Sequence, residues 1–215
     1  MLIDMNKIFV FTLFIIILAS LSLAQQSTYI KLGGSVNYVP MRAFTKHILM
    51  GNQEAEFDFL TPGYSLELGF GISKNSGLSL SGETFVLNSS FGHNEFSWDW
   101  EFRTYIVSIG YDYYFMPKES AFTPYIGIGP SFYYLDTNSF ENTESEAEII
   151  GDTHSSDKSW GIYMKCGTDI KLSESFFLCT ELKYTNMPDL DIGSRWRKLN
   201  LSGLAINISL KLLLF

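Results

Sequence analysis

The sequence predicts an all-β fold, an eight-stranded antiparallel up-and-down transmembrane β-barrel, and three observations carry that prediction. Eight segments alternate apolar and polar residues with a period of two, each near the roughly 9–11 residues that a tilted strand needs to cross a bilayer. The connections between them alternate strictly between short and long, as in a barrel with tight turns on one side of the membrane and long loops on the other. All four tryptophans fall beside long connections, at one level of the proposed barrel.

In chain order, residues 1–24 read as a cleaved signal peptide. Lys7 supplies the positive start, "IFVFTLFIIILASL" the apolar run, and Ser22-Leu23-Ala24 a small-x-small end suited to cleavage. A retained anchor helix is the rival reading, but the run is short of the roughly 20 residues a helix needs to span a bilayer. No later segment has a helix-length apolar run, so strands must do any spanning. Residues 25–215 form the barrel domain. Its strands are "TYIKLGGSVNY", "GYSLELGFGIS", "LSLSGETFVL", "FRTYIVSIGYDYYF", "TPYIGIGPSFYYL", "WGIYMKCGTDI", "SFFLCTELKYT" and the closing "LSGLAINISLKLLLF". The turns "SKNSG", "MPKESAF" and "KLSES" are short; the long outer loops lie near 39–62, 89–99, 135–158 and 186–199. Pro130 falls inside the fifth strand, where it must sit at a bulge or forgo a ladder bond.

Each strand has an apolar face. Tyr64, Leu66, Leu68, Phe70 and Ile72 share one parity of the second strand. Tyr105, Val107, Ile109, Tyr111 and Tyr113 share one of the fourth, opposed by Thr104, Ser108, Gly110 and Asp112 with Ile106 as an exception. The other face holds glycine, serine and the charges. A soluble β-sandwich has the same alternation with the oily face inward, so pattern alone leaves both folds open. Small residues on the polar face suit the crowded interior of a narrow barrel, and export and the sorted aromatics point the same way. Trp98, Trp100, Trp160 and Trp196, with Tyr38, Tyr64 and Tyr184, make the belt at the long-loop border; Tyr111, Tyr113, Phe115 and Phe176 make the other. Closure follows because bare backbone groups cost several kcal/mol each in hydrocarbon.

"GYSLELGFGISKNSGLSLSGETFVL", "TPYIGIGPSFYY" and "GTDIKLSESFFLCTELKYT" resemble the hairpins of the OmpA/OmpX/OmpW-like, opacity-type small outer-membrane β-barrels of Gram-negative bacteria, over about residues 27–215. The resemblance implies a cell outer-membrane location, with the long loops extracellular and both mature ends periplasmic. It also implies assembly by the barrel-assembly machinery, for which the final aromatic, Phe215, is the expected signal. Phe215 departs from the pattern, being out of phase with the outward set that ends at Leu214. Members include structural proteins, adhesins and small-solute channels, so the resemblance implies no single activity.

The polar parity collects a lumen network: Lys31, Glu67, Glu83, Asp112, Lys165, Asp169, Glu181, Lys183 and Lys211, with Arg103 of the fourth strand as a further partner. A turn centred on Ser173 would set Lys165 opposite Glu181 as a salt bridge and Cys179 inward opposite Gly167, while Cys166 faces lipid. The two thiols would then point apart, unpaired. Glu67 and Glu83 would meet across "SKNSG", where two carboxylates repel unless a proton or cation intervenes. A rigidifying network in a filled lumen is one reading of these charges and a charged constriction in a narrow pore the other.

The function expected is a mainly structural or surface-interaction role, with a narrow porin-like or OmpW-like channel for small or hydrophobic solutes as the alternative. The formal net charge of -8 gives no reason to bind nucleic acid. The three histidines form no oriented triad, His154 lying beside Ser155, Ser156 and Asp157 in a polar loop, so no enzyme activity, catalytic residue, metal site or cofactor is expected. Partners expected are outer-membrane lipid and lipopolysaccharide, for a barrel that is otherwise monomeric; Arg195, Arg197 and Lys198 are either a contact for lipopolysaccharide phosphates or an ordinary rim, and the sequence leaves both open.

Overall fold

The computed structural model describes residues 28–41, 57–93, 96–117, 120–143, 149–187, 190–192, 196–199 and 202–214. The expected signal peptide, Arg195 and Phe215 lie outside these residues. Among the described residues ten strands follow one another: β1 (Thr28–Met41), β2 (Phe57–Ser73), β3 (Ser76–His93), β4 (Phe96–Tyr114), β5 (Phe122–Thr143), β6 (Ile149–Lys171), β7 (Phe176–Asn186), β8 (Leu190–Ile192), β9 (Trp196–Leu199) and β10 (Gly203–Leu213). Eight of them close an antiparallel barrel in the order β1-β2-β3-β4-β5-β6-β7-β10, and β10 returns to pair with β1 from Tyr29↔Leu213 to Tyr38↔Leu204. The short β8 and β9 pair only with each other, in the connection before β10.

Burial decides between the two folds that share this alternation. Lys31, Glu67, Asp112, Lys165, Glu181 and Lys211 are buried, while Leu32 is 60 % exposed, Leu66 47 %, Ile128 51 % and Ile208 58 %. A water-soluble sandwich places these sets the other way round. With the backbone paired around a closed ring, the greasy exterior suits hydrocarbon and leaves no open edge in it.

The strands are longer than the hydrophobic pattern suggests. Residues 89–99 and 135–158, expected as loops, are mostly ladder: β3 and β4 pair as far as His93↔Phe96, and β5 and β6 as far as Asn142↔Ile149. A polar segment in water pairs its backbone as well as an apolar one does, yet carries no hydrophobic period from which to read it. Pro130 takes the second of its two options. The β4–β5 ladder runs to Ser108↔Ser131 and resumes at Tyr111↔Ile128 in unchanged register, so the chain omits pairing there and inserts no bulge. Proline has no N–H to donate.

Beside that gap the two strands come close enough to demand glycine. A Cβ on Gly129 would strike the Ile109 carbonyl and the backbone of Gly110, whereas one on Gly82 would meet open space. Gly129→Ala is therefore expected to cost about 1–3 kcal/mol through overpacking. Gly82→Ala is expected to be neutral or slightly stabilising. Urea unfolding of the two variants in lipid vesicles measures both.

A candidate functional site in the packed lumen

The inward side chains of five strands converge on two lysines. From β6, the Lys165 ammonium lies 2.9 Å from Glu67 Oε2 of β2, 3.2 Å from Asp112 Oδ1 of β4 and 3.6 Å from Glu181 Oε2 of β7. From β1, the Lys31 ammonium lies 3.0 Å from Glu181 Oε2 and 3.9 Å from Glu67 Oε1. Neutral donors complete the carboxylates: Tyr29 donates to Glu67 at 2.9 Å, Tyr125 to Glu181 at 2.8 Å and Asn207 to Glu181 at 2.9 Å. Both ammonium groups lie 5.6 Å from the centroid of the Tyr125 ring, a weak cation–π contact. Two flanking pairs extend the network. Lys211 pairs with Asp169 at 2.6 Å and sits 4.1 Å from the Tyr29 ring centroid; Lys183 pairs with Glu83 and sits 4.4 Å from that of Tyr163.

Glycine makes the room. A Cβ on Gly127 would collide with Asp112 and Lys165, and one on Gly69 with the Tyr29 ring. Opposite small residues, long side chains thus reach across the lumen, where desolvated charges are tolerable only when paired and hydrogen-bonded.

Beyond this charged zone, toward the long connections, the lumen turns apolar. Val39, Phe85, Leu87, Phe102, Ile106, Tyr133, Leu135, Met187 and Ala205 are all buried there. Ile106, an exception to the alternation, belongs to this second zone. Within this upper zone lies a cavity of about 20 Å³, lined by Val39, Phe85, Ile106, Tyr133, Met187 and Ala205 together with Asn37, Glu83 and Thr104, which is room for one water.

Several expected positions are corrected. Lys165 stands opposite Lys183, and Glu181 opposite Gly167, so the expected register is off by two residues. The β6–β7 turn is the cause: Leu172 and Ser173 both donate their N–H to the Phe176 carbonyl, which centres the hairpin one residue later than Ser173. Lys165 and Glu181 still meet, diagonally. Cys179 accordingly faces Asp169 and not Gly167; it is buried, Cys166 is exposed, and both thiols are free. A lipid-soluble maleimide is expected to label Cys166 in the folded barrel, and Cys179 only after unfolding, which mass spectrometry of the labelled peptides would show.

Glu67 stands opposite Ser81, and Glu83 opposite Ser65, because the β2–β3 hairpin turns at Lys74–Asn75 with an irregularity between Gly71 and Ser73. Each carboxylate therefore has its own lysine, and the anticipated clash of the two is absent. Arg103 is not in the lumen. It shares the outward parity of Tyr105 and Val107, its side chain is 48 % exposed, and its Nε donates to Glu101 at 2.6 Å. That parity was legible in the sequence. Tyr29 and Asn207 share the parity of the inward Lys31 and Lys211 on their strands, and Tyr125 that of the inward Gly127, Gly129 and Ser131 of β5, which carry no charge to mark the face.

Of the belt tryptophans, Trp160 is 65 % exposed and meets Phe132 edge-on at 5.0 Å. Trp98 and Trp100 lie on β4 beyond Phe102, and Trp196 opens β9, off the barrel wall; their side chains are outside the described set. Arg197 and Lys198 are on β9, and His154 is on β6 opposite Asn138.

An eight-stranded closed barrel with an apolar exterior and a charged, filled interior defines a membrane-spanning β-barrel. Residues 10–211 match the family model described as "Outer membrane protein beta-barrel domain". The chain belongs to that family of small eight-stranded barrels and resides in the outer membrane. It is 33 % identical to outer membrane protein W of Vibrio cholerae over 75 residues, which span 35 % of this chain and 34 % of that protein. Among solved structures, OprG from Pseudomonas aeruginosa superposes with a TM-score of 0.60 at 18 % identity, covering 88 % of this chain and 96 % of that one. Neisserial surface protein A gives 0.53 at 11 % identity, covering 86 % and 96 %. At these identities the superpositions speak for the fold.

Proposed function

We propose that this protein is a structural outer-membrane barrel with a sealed lumen, whose surface contacts are made by its long connections. Those connections face the exterior, and the short turns and mature chain ends face the periplasm. The observation that carries the reading is Lys165 holding carboxylates from three other strands at once. A side chain tied to three walls of so narrow a tube occludes it and braces it together. Catalysis and cofactor chemistry form no part of this role. Arg197 and Lys198, on the β8–β9 hairpin, are the basic residues offered to lipopolysaccharide at the rim.

The apolar upper lumen, from Val39 to Met187, favours a second reading, a narrow channel admitting small or hydrophobic solutes as far as the charged floor. Planar-bilayer recording separates the two. The structural reading expects no reproducible single-channel steps from protein that retains heat-modifiable migration; steps altered by changing Glu67, Glu83 or Lys165 would overturn it in favour of the channel.

A further inference from the structure

The small cavity of the upper lumen brings together polar groups from three neighbouring strands. Glu83 of β3 stands opposite Ile106 of β4, which stands opposite Tyr133 of β5; in the next inward row, Phe85 stands opposite Thr104. Ile106 has no hydrogen-bonding group, so this row sets a carboxylate and a phenol on either side of an aliphatic side chain. Glu83, Ile106, Tyr133 and Thr104 all line the one cavity. Tyr133 OH and Thr104 Oγ1 are buried there without a hydrogen-bond partner, and each residue is 1 % exposed. Lys183 of β7 donates to Oε1 of Glu83 and leaves the second carboxylate oxygen to accept elsewhere.

Size and chemistry together select the occupant. About 20 Å³ takes one water and excludes an organic ligand. A small cation offers no acceptor to a hydroxyl proton, and Glu83 already has Lys183 beside it. Water both donates and accepts, which is what one carboxylate oxygen and two hydroxyls left to themselves require.

We propose that the cavity binds one structural water, which donates to the second oxygen of Glu83 and accepts from the Tyr133 and Thr104 hydroxyls. Three bonds are about the usual number for a buried water. The unmade bonds of two buried hydroxyls are costly, and the water makes both. It also carries the salt-bridged floor one step upward, linking Lys183 of β7, through Glu83 of β3, to β4 and β5. Its long residence rests on the sealed lumen proposed above.

The test uses the folded full chain in neutral detergent micelles. Magnetic relaxation dispersion of the water oxygen, read in isotope-enriched solvent, counts long-held internal waters, and proton exchange with the hydroxyls does not imitate it. Thr104→Val combined with Tyr133→Phe is expected to lose the signal of one water and to lower the urea midpoint. Heat-modifiable migration verifies folding. Should the double variant not fold, Ala205→Val, which crowds the cavity and keeps both hydroxyls, is expected to lose the same signal and takes its place. An unchanged signal in the folded variant overturns the site. So does a raised urea midpoint in the double variant, the sign of hydroxyls relieved of burial without a partner. Replacing sodium by choline in the buffer is expected to leave the midpoint of the unaltered protein where it is; a fall makes the occupant a cation and overturns the water. Single-channel steps in the bilayer recording would remove the sealed-lumen reading whatever these variants do, whereas an unchanged signal with a silent bilayer removes the water alone.

Discussion

Lys165→Met is expected to destabilise the barrel by about 3–5 kcal/mol, the cost of removing one partner from a buried ionic group. Methionine fills much of the volume, so lost packing is minor and the loss is chiefly electrostatic. Glu67, Asp112 and Glu181 would be left with Lys31 as the one lysine among the described residues that contacts this trio. Arg103→Met, which removes an exposed pair of equally short geometry, is expected to change stability by less than about 1 kcal/mol. Urea titration in lipid vesicles, followed by tryptophan fluorescence and heat-modifiable migration, compares the two. Adding Glu67→Met to Lys165→Met is expected to restore part of the loss, because an uncompensated buried anion is removed with its cation. Equal costs for Lys165→Met and Arg103→Met would show that the lumen lysine carries no special load.

The second large effect tests which face meets hydrocarbon. Ile208 lies midway along β10 and is 58 % exposed, whereas Leu204 lies near its end at the long-connection border. Ile208→Arg is expected to cost about 2–4 kcal/mol in a bilayer, and Leu204→Arg about 0–1 kcal/mol, because the penalty for a cation falls from the midplane toward the interface. Were the same face in water, both substitutions would be nearly neutral and would show no dependence on depth. Refolding yield into vesicles of defined thickness, alongside urea titration, reads the gradient.

Local information reached the wall and stopped at the turns. Strand faces were legible because side chains alternate strictly, so Lys31, Glu67, Asp112, Lys165, Asp169, Glu181, Lys183 and Lys211 could be set on one surface by parity alone. The partners of those residues were not legible. A pairing across a hairpin depends on where the turn is centred, and "KLSES" and "SKNSG" each admit more than one centre. An error of one residue in the centre moves a partner by two, which keeps the face and changes the neighbour; this is how Lys165 came opposite Lys183, and Glu67 opposite Ser81. Arg103 stands outside the network for a different reason: strand parity, which it shares with Tyr105, and not charge decides the face.

The sequence by itself determined an alternating, closable wall, two unlike faces and the set of charges on one of them, since these follow from local geometry with a period of two. Only the tertiary structure decided which carboxylate each lysine meets, that Arg103 looks outward, and that the upper lumen is apolar. Those contacts join strands far apart in the chain, through hairpin registers and the curvature of a closed ring that no short stretch of residues encodes.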